Sequence, residues 1–503
     1  MTHWRQALWI IAASTVVRLL LGAVVPLYDD EAYYWEWSRR LAAGYFDHPP
    51  MIAWLIAGGT ALFGDSTFGV RVLPILCGSV TGLAIAGTAR HLAGPSAARF
   101  AALVFAVLPV FAAGLVLATP DAPLVAALAL ALYGVVRALD AGDPAVATRH
   151  WALAGVAAGL AMASKFTGVL VPAGVGLALA AHPVLRRHLG SAGPWIAAAL
   201  AAVMMIPVLR WNVQHDWIAF RFQLDHGFGV AARGSWWMRE LELLGGQLGL
   251  VTPILLVLIL AALARGLRAP REPLRFTLAV VAALCLAVLA FSATRRPVEP
   301  NWPVIVWIPG IALLASLRPA LRTRWEHRGV WLAGGLSAMV LLHALRPFVP
   351  IAAGRDPTLR AHGWPAVTWT VERTRRWVPA DSGPVVVVAN RYQDAAMLAW
   401  HLSDRPTVYS LNVNGRRNQY DLWPPLADAV ASGATLLLLL NDTTIVAQKE
   451  IAVLAPHFAA ATAGPVLQLK RGDAIIGARR LWYLAGWSGT LPARDVPTPP
   501  RVR

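Results

Sequence analysis

Long apolar stretches broken by short polar ones fill roughly the first two thirds of the chain. They are Trp9–Leu27, Val70–His91, Phe100–Ala118, Leu124–Val136, Trp151–Ala163, Val169–Ala181, Trp195–Leu209, Leu241–Ala264, Phe276–Phe291, Val304–Leu317 and Val330–Leu345. By the length rule they predict about eleven transmembrane helices, the shorter ones tilted or re-entrant. Met1–Leu27 carries a long apolar run with no small-residue cleavage motif after it, so it is expected to be an anchor rather than a cleaved signal. Arg18 inside that run is an oddity, read as snorkelling or as facing the polar loop that follows.

From about Arg355 the pattern changes. Pro384–Ala389 (PVVVVA) and Thr435–Leu440 (TLLLLL) are far too short to span a bilayer and read as buried strands, with a helix over Asp394–Leu402 between them. The strand–helix–strand order predicts a small soluble α/β domain over 355–490. The expected fold class is therefore a polytopic α-helical membrane protein with a C-terminal soluble α/β domain. The transmembrane domain would cover 1–350, with polar loops at 28–69 and 210–240, and a Pro- and Arg-rich tail over 491–503 is expected to be disordered.

The charges orient the spans. With the N-terminus in the cytoplasm, the loops His91–Arg99, Arg137–His150, His182–Ser191, Arg265–Arg275 and Arg318–Arg328 fall inside, and all of them carry arginine. The loop after the first span, the turns at Thr119–Asp121 and Ser164–Phe166, the loop Arg210–Glu240 and Ser292–Trp302 then fall outside. An odd number of spans puts the C-terminal domain outside as well.

Composition supports this reading: 57% of the 503 residues are hydrophobic and 14% are charged. A formal charge of +17 would suggest nucleic acid in a soluble protein, but here the basic residues sit in short loops between apolar stretches, so no nucleic-acid partner is expected. Cys77 and Cys285 each lie in an apolar stretch, which excludes a disulfide framework. No P-loop, GxGxxG, HExxH or GxSxG motif occurs, which sets aside nucleotide-driven transport, zinc proteolysis and serine hydrolysis.

Candidate chemistry concentrates in Tyr28–Met51, which holds Asp29, Asp30, Glu31, Glu36 and Asp47 between two acid-free flanks. Carboxylates crowded beside a low-dielectric wall repel one another and are costly unless used. Asp30 and Glu31 fit a general base for a hydroxyl nucleophile, or a cation site; the structural alternative is a solvated turn with Asp29 or Asp30 as a helix N-cap. Glu31–Ala43 is expected to be a short helix in the membrane interface, with Tyr33, Tyr34, Trp35 and Trp37 at headgroup level, ended by Gly44. Pro49-Pro50 is expected to force an extended exit and to fix the pose of Asp47 and His48. Lys165 is one of three lysines in the chain and the only one among the spans, either a point charge for a phosphate or a snorkelling side chain. Trp211–Trp237 mixes aromatics with charges, Arg233 among them, as sugar or lipid-headgroup binding requires, and Arg295-Arg296 adds a basic patch.

Six pieces of this sequence carry a family likeness: DDEAYYWEWSRRLAAGYFDHPPMIAWLI, FGDSTFGVRVLP, ATPDAPL, SKFTG, WNVQHDWIAFRFQLDHGFG and NWP. Together they resemble bacterial membrane glycosyltransferases of the GT-C superfamily, dolichyl-phosphate-mannose–protein mannosyltransferase-like. Nearer relatives transfer aminoarabinose to lipid A or galacturonic acid to rhizobial lipopolysaccharide. NRYQDAAMLAWHL and NGRRNQYDLWP resemble the outer domain of one bacterial branch.

The resemblance implies a multi-pass enzyme of the bacterial inner membrane with a periplasmic C-terminal domain. It would move a sugar from a polyprenyl-phosphate donor to a lipid, glycan or protein acceptor, inverting the anomeric carbon. The family's acidic pair falls on Asp30 and Glu31, with Asp30 as the base. Asp47, His48, Lys165, Arg233, Arg295 and Tyr34 become the substrate-binding set. Where the aminoarabinose enzymes have Glu-Lys-Pro-Pro this chain has Asp47-His48-Pro49-Pro50, so a titratable imidazole replaces a lysine. Asp47 with His226 would form a divalent-metal site, although the reaction requires no cofactor. Rival readings are a flippase or transporter of lipid-linked sugars, which should place charges along a mid-membrane path, and a binding module on an anchor, which needs far fewer spans.

Overall fold

The computed structural model describes residues 2–230, 234–269, 271–317, 324–379, 383–411, 415–441 and 445–490. The expected tail over 491–503 and Arg233 lie outside them. Contacts divide the chain into two units. Met1–Val25 and Leu41–Leu345 form the first; Pro26–Arg40 joins the chain from Arg346 onward in the second.

The first unit is helical. Among the described residues six helices are long and apolar enough to cross a membrane: Thr2–Val24, Thr67–Ala93, Asp121–Leu139, Ala192–Gln214, Pro273–Arg295 and Arg324–Leu345. Three bent pairs raise the number to nine if each is one crossing: Pro95–Val107 with Pro109–Val116, Phe166–Ala181 with Pro183–Gly190, and Trp236–Leu250 with Pro253–Leu267, bent by 71°, 104° and 106°. Each second member begins at a proline. Pro109, Pro183 and Pro253 lack the amide that would continue the preceding helix, and they push the residue before them out of the helical region. Of the remaining apolar stretches, Val304–Ser316 is buried at every residue and rises only about 20 Å, less than the hydrocarbon thickness.

Close helix approach comes from small residues. A Cβ at Gly155 would lie 2.4 Å from the Ala197 carbonyl oxygen, and one at Gly159 would lie 2.5 Å from Met204 Cβ. This GxxxG spacing lets Pro144–Met162 sit against Ala192–Gln214. The first helix is closed by Arg71, fully buried, whose guanidinium donates to the carbonyls of Gly22 (3.1 Å) and Val25 (2.6 Å). After Pro49-Pro50 the chain does not run extended. Pro50 is helical in conformation and Met51–Phe63 starts at once, because a proline's fixed φ suits a helix start as well as a turn.

The second unit holds a five-stranded sheet. The strands are β1 (Val385–Ala389), β2 (Tyr409–Ser410), β3 (Thr435–Leu440), β4 (Phe458–Arg471) and β5 (Ala474–Trp487), in the order β2-β1-β3-β5-β4. β1 is parallel to β2 and β3, while β5 is antiparallel to β3 and β4. All six residues of β3 are buried; Leu436, Leu438 and Leu440 pack with Leu454 and Leu484. Helices Trp364–Trp377 and Tyr392–His401 pack on each other, and the latter is tied to β5 by a buried ion pair, Arg479 Nε to Asp394 Oδ2, 2.6 Å.

The acidic stretch forms the helix Asp29–Ser38, which packs on Tyr392–His401. It is not the interfacial helix expected from its aromatics. Tyr33, Trp35 and Trp37 are buried, and Tyr33 and Trp35 meet partners more than 350 positions away in the chain. Arg39 caps the helix in place of Gly44.

Candidate functional site

In the second unit the predicted site residues sit at the start of Asp29–Ser38. Tyr28 is the N-cap, and the Glu31 carboxylate turns back to accept its N–H at 3.0 Å. Glu31 is thereby buried, while Asp30 next to it is exposed. Three acids in the first turn are tolerated because the helix's N-terminal amides carry positive potential. A further cation helps: Arg360 Nη2 lies 3.1 Å from Asp29 Oδ2. The charge of Asp29 raises the Arg360 pKa, and Asp30 adds to this.

Glu36, on the same helix, is fully buried and held by Arg39 at 2.6 Å and Arg40 at 2.7 Å. The aromatics pack around these charges. Tyr33 lies 4.5 Å from Tyr392 by ring centroids, its hydroxyl accepts the Gln419 N–H at 2.7 Å, and Trp35 meets Trp400 edge-on. Tyr34, half-buried, packs on Trp37. Burial raises the Tyr420 hydroxyl well above its ordinary value, and Glu36 adds to this. Two of the late sequence pieces thus support the acidic helix directly. Asn390 is buried and donates to Glu450 at 2.7 Å.

In the first unit a different group forms. Lys165 Nζ lies 2.8 Å from Asp121 Oδ1, both side chains nearly buried, and 5.7 Å from the Trp302 ring centre. Asn301 donates to the other Asp121 oxygen. The pieces ATPDAPL, SKFTG and NWP, scattered over 180 positions, therefore meet at one place. Asp121, Asn301 and Trp302 were not among the predicted site residues. Their sequence signals were the family likeness of ATPDAPL and NWP and, for Asp121, a carboxylate at the first turn of an apolar helix.

The turn before Met51–Phe63 joins this group through the helix Ile218–Phe228. Phe46 packs on Phe222, Gln223 donates to the Asp47 carbonyl at 2.6 Å, and His226 stacks on Phe222 and approaches Trp302 at 5.5 Å. Asp47 is buried, His48 half-buried and His226 exposed. Burial pushes the neighbouring Tyr45 phenol up to about 12. Arg295 ends Pro273–Arg295, its guanidinium over Phe291, and Arg296 reaches Asp225 at 3.4 Å. The expected metal pair, Asp47 with His226, comprises two residues only. Among the described residues no group of three or more His, Cys, Asp or Glu side chains is placed to hold one.

The first unit thus holds a paired lysine, a histidine and a basic patch, and the second presents an exposed carboxylate at a helix start. Comparison with known proteins narrows this. The family described as dolichyl-phosphate-mannose-protein mannosyltransferase matches residues 47–211. The lipid A galacturonosyltransferase RgtD of Rhizobium johnstonii is 29% identical over 323 residues, which cover 62% of this chain and 65% of that protein. An undecaprenyl phosphate-alpha-4-amino-4-deoxy-L-arabinose arabinosyl transferase of Pseudomonas paraeruginosa is 25% identical over 74% of this chain and 72% of its own. The crystal structure of ArnT from Cupriavidus metallidurans in the apo state shares the fold, with a TM-score of 0.65 at 16% identity over 96% of this chain and 98% of that one. Residues 47–211 therefore match the dolichyl-phosphate-mannose-protein mannosyltransferase family, and the chain is similar in sequence to a lipid A galacturonosyltransferase and to aminoarabinose transferases.

Proposed function

We propose that this chain is an inverting glycosyltransferase that moves a sugar from a polyprenyl-phosphate donor to a lipid, glycan or protein acceptor. It would act on the periplasmic face of a bacterial inner membrane, with the N-terminus cytoplasmic and about eleven transmembrane helices, the short ones tilted or re-entrant. The family match over residues 47–211 supports the reaction class, and so do the names of the relatives.

The observation that carries the residue assignment is the split between two neighbouring acids: Glu31 is buried in holding the helix start, while Asp30 is exposed on the same turn. Asp30 takes the proton from the acceptor hydroxyl as its oxygen bonds to the anomeric carbon, and the bond from that carbon to the phosphate oxygen breaks. The lipid phosphate leaves with the electron pair. Lys165, His48, Arg233 and Arg295 are the groups assigned to its charge, and Tyr34 to the donor sugar. No nucleotide is needed, since the glycosyl phosphate is already activated. No step is routed through a metal; Asp47 and His226 are the pair that would hold a divalent ion together with phosphate oxygens.

Asp30→Asn is expected to express and fold normally in membranes and to lose transfer. Normal turnover by that variant overturns the base assignment. Mass spectrometry of lipids and glycans from a deletion strain should show one missing sugar, naming donor and acceptor together.

A further inference from the structure

The sheet domain carries an open groove lined by none of the residues assigned to the reaction. Its wall is the outward face of the helix Trp364–Trp377, and its floor is formed by Thr435 of β3 with Tyr483 and Ala485 of β5. Its volume is about 530 Å³, within the range of small-ligand sites.

Trp369, Arg373 and Trp377 follow one another at four-residue steps and so share one helix face. The Arg373 guanidinium lies 5.4 Å from the Trp369 ring centre and 5.2 Å from that of Trp377. The opposite face, Trp364, Val367, Thr368 and Val371, is buried, so the domain's core does not require these two indoles. Trp369 and Trp377 nevertheless leave 60% and 73% of their surface open to solvent. Thr370, Thr374 and Tyr483 bring hydroxyls to the same groove. Of the other two arginines on the helix, Arg375 is committed to Asp404 at 3.0 Å.

We propose that this groove is a second, non-catalytic binding site for an acidic pyranose, a uronate or a phosphorylated hexosamine. Indole faces suit the apolar face of a sugar ring, hydroxyls suit its edge, and a stacked guanidinium suits a carboxylate or phosphate in two-point geometry. The concavity favours a compact ligand over a flat lipid surface. Two indoles separated by eight helical residues stand about 12 Å apart along the axis, room for one or two rings.

The test uses the full chain in nanodiscs of neutral lipid, with free digalacturonate as the probe and maltose and inorganic phosphate as controls, read by calorimetry and ligand-observed NMR. Digalacturonate is expected to bind at least tenfold more tightly than either control. Trp377→Ala should lower its affinity tenfold or more. Arg373→Gln should erase the preference over maltose, and Arg373→Lys should restore only part of it. Both side chains are exposed, so the fold is expected to survive; an unchanged melting temperature checks this. Equal binding of phosphate and digalacturonate, equal binding by all variants, or no sugar binding at millimolar concentration each overturns the proposal. So does a response only to vesicles containing anionic lipid. Because the groove is separate from the transfer chemistry, Asp30→Asn should bind the probe as wild type does, and this separates failure of the binding proposal from failure of the base assignment.

Discussion

Asp30 and Lys165 mark two regions that handle charge in opposite ways. Around Asp30 the acids crowd a helix start, and the protein disposes of them unequally: Glu31 is buried as a backbone acceptor, Glu36 is clamped by two arginines, and Asp30 is exposed. Around Lys165 a single cation is nearly buried and held by one carboxylate, itself held by Asn301. The first arrangement keeps one group accessible by satisfying its neighbours. The second fixes a group in place by pairing it. A base must meet its proton and an anion-binding charge must be preorganised, so the two designs fit the roles assigned to them.

The largest effect should come from breaking the pair. Lys165→Met leaves the Asp121 carboxylate largely desolvated without its cation, at a cost of about 3 kcal/mol, and is expected to abolish transfer. Thermal unfolding in detergent and a membrane transfer assay check both. Adding Asp121→Asn should recover most of the stability and none of the transfer; recovery of transfer would show that the lysine acts only structurally.

Arg71→Met comes next. It strips two charge-assisted hydrogen bonds from the end of the first helix and should cost about 2–3 kcal/mol with a smaller loss of turnover in the folded fraction. Glu31→Gln keeps an acceptor for the Tyr28 N–H, so about 1 kcal/mol or less and most of the transfer activity should be at stake. If Glu31→Gln is as dead as Asp30→Asn while folded, the contrast between the two acids fails.

The smallest effect is one of pH. Hydrogen bonds from Arg375 hold the Asp404 carboxyl below its usual value. Its folded pKa is therefore lower than its unfolded one. The stabilisation is full above the ordinary carboxylate range and is lost as pH falls through the folded value. Unfolding midpoints measured from neutral to acidic pH should drop less steeply in Arg375→Gln than in wild type.

Much of this was legible in the chain. Run length located the six long apolar helices but not the bends at Pro109 and Pro253 or the helix Met51–Phe63, and PVVVVA and TLLLLL became β1 and β3, because burial on both faces leaves an unbroken apolar run. The hairpin of β4 and β5 was not read, since its alternation is interrupted by Gly464-Pro465 and its exposed face is rich in alanine. In the acidic helix, sequence identified the acids and misplaced the aromatics. Tyr33 and Trp35 look interfacial until the residues that bury them are known, and nothing local in the chain announces those partners. Asp121 escaped notice for the same reason: its meaning comes from Lys165 and Asn301, and one carboxylate at a helix start is common.

The sharing of Pro26–Arg40 with the C-terminal unit has a consequence for biogenesis. A ribosome makes the acidic helix among the earliest segments, yet the amide that meets the Tyr33 hydroxyl belongs to Gln419, 386 residues later. During most of translation that helix must wait without those partners, its indoles available to any chaperone present. A nascent or prematurely terminated product would carry every span and still lack a finished support for the group assigned to proton transfer, so competence would arrive only with the last part of the polypeptide.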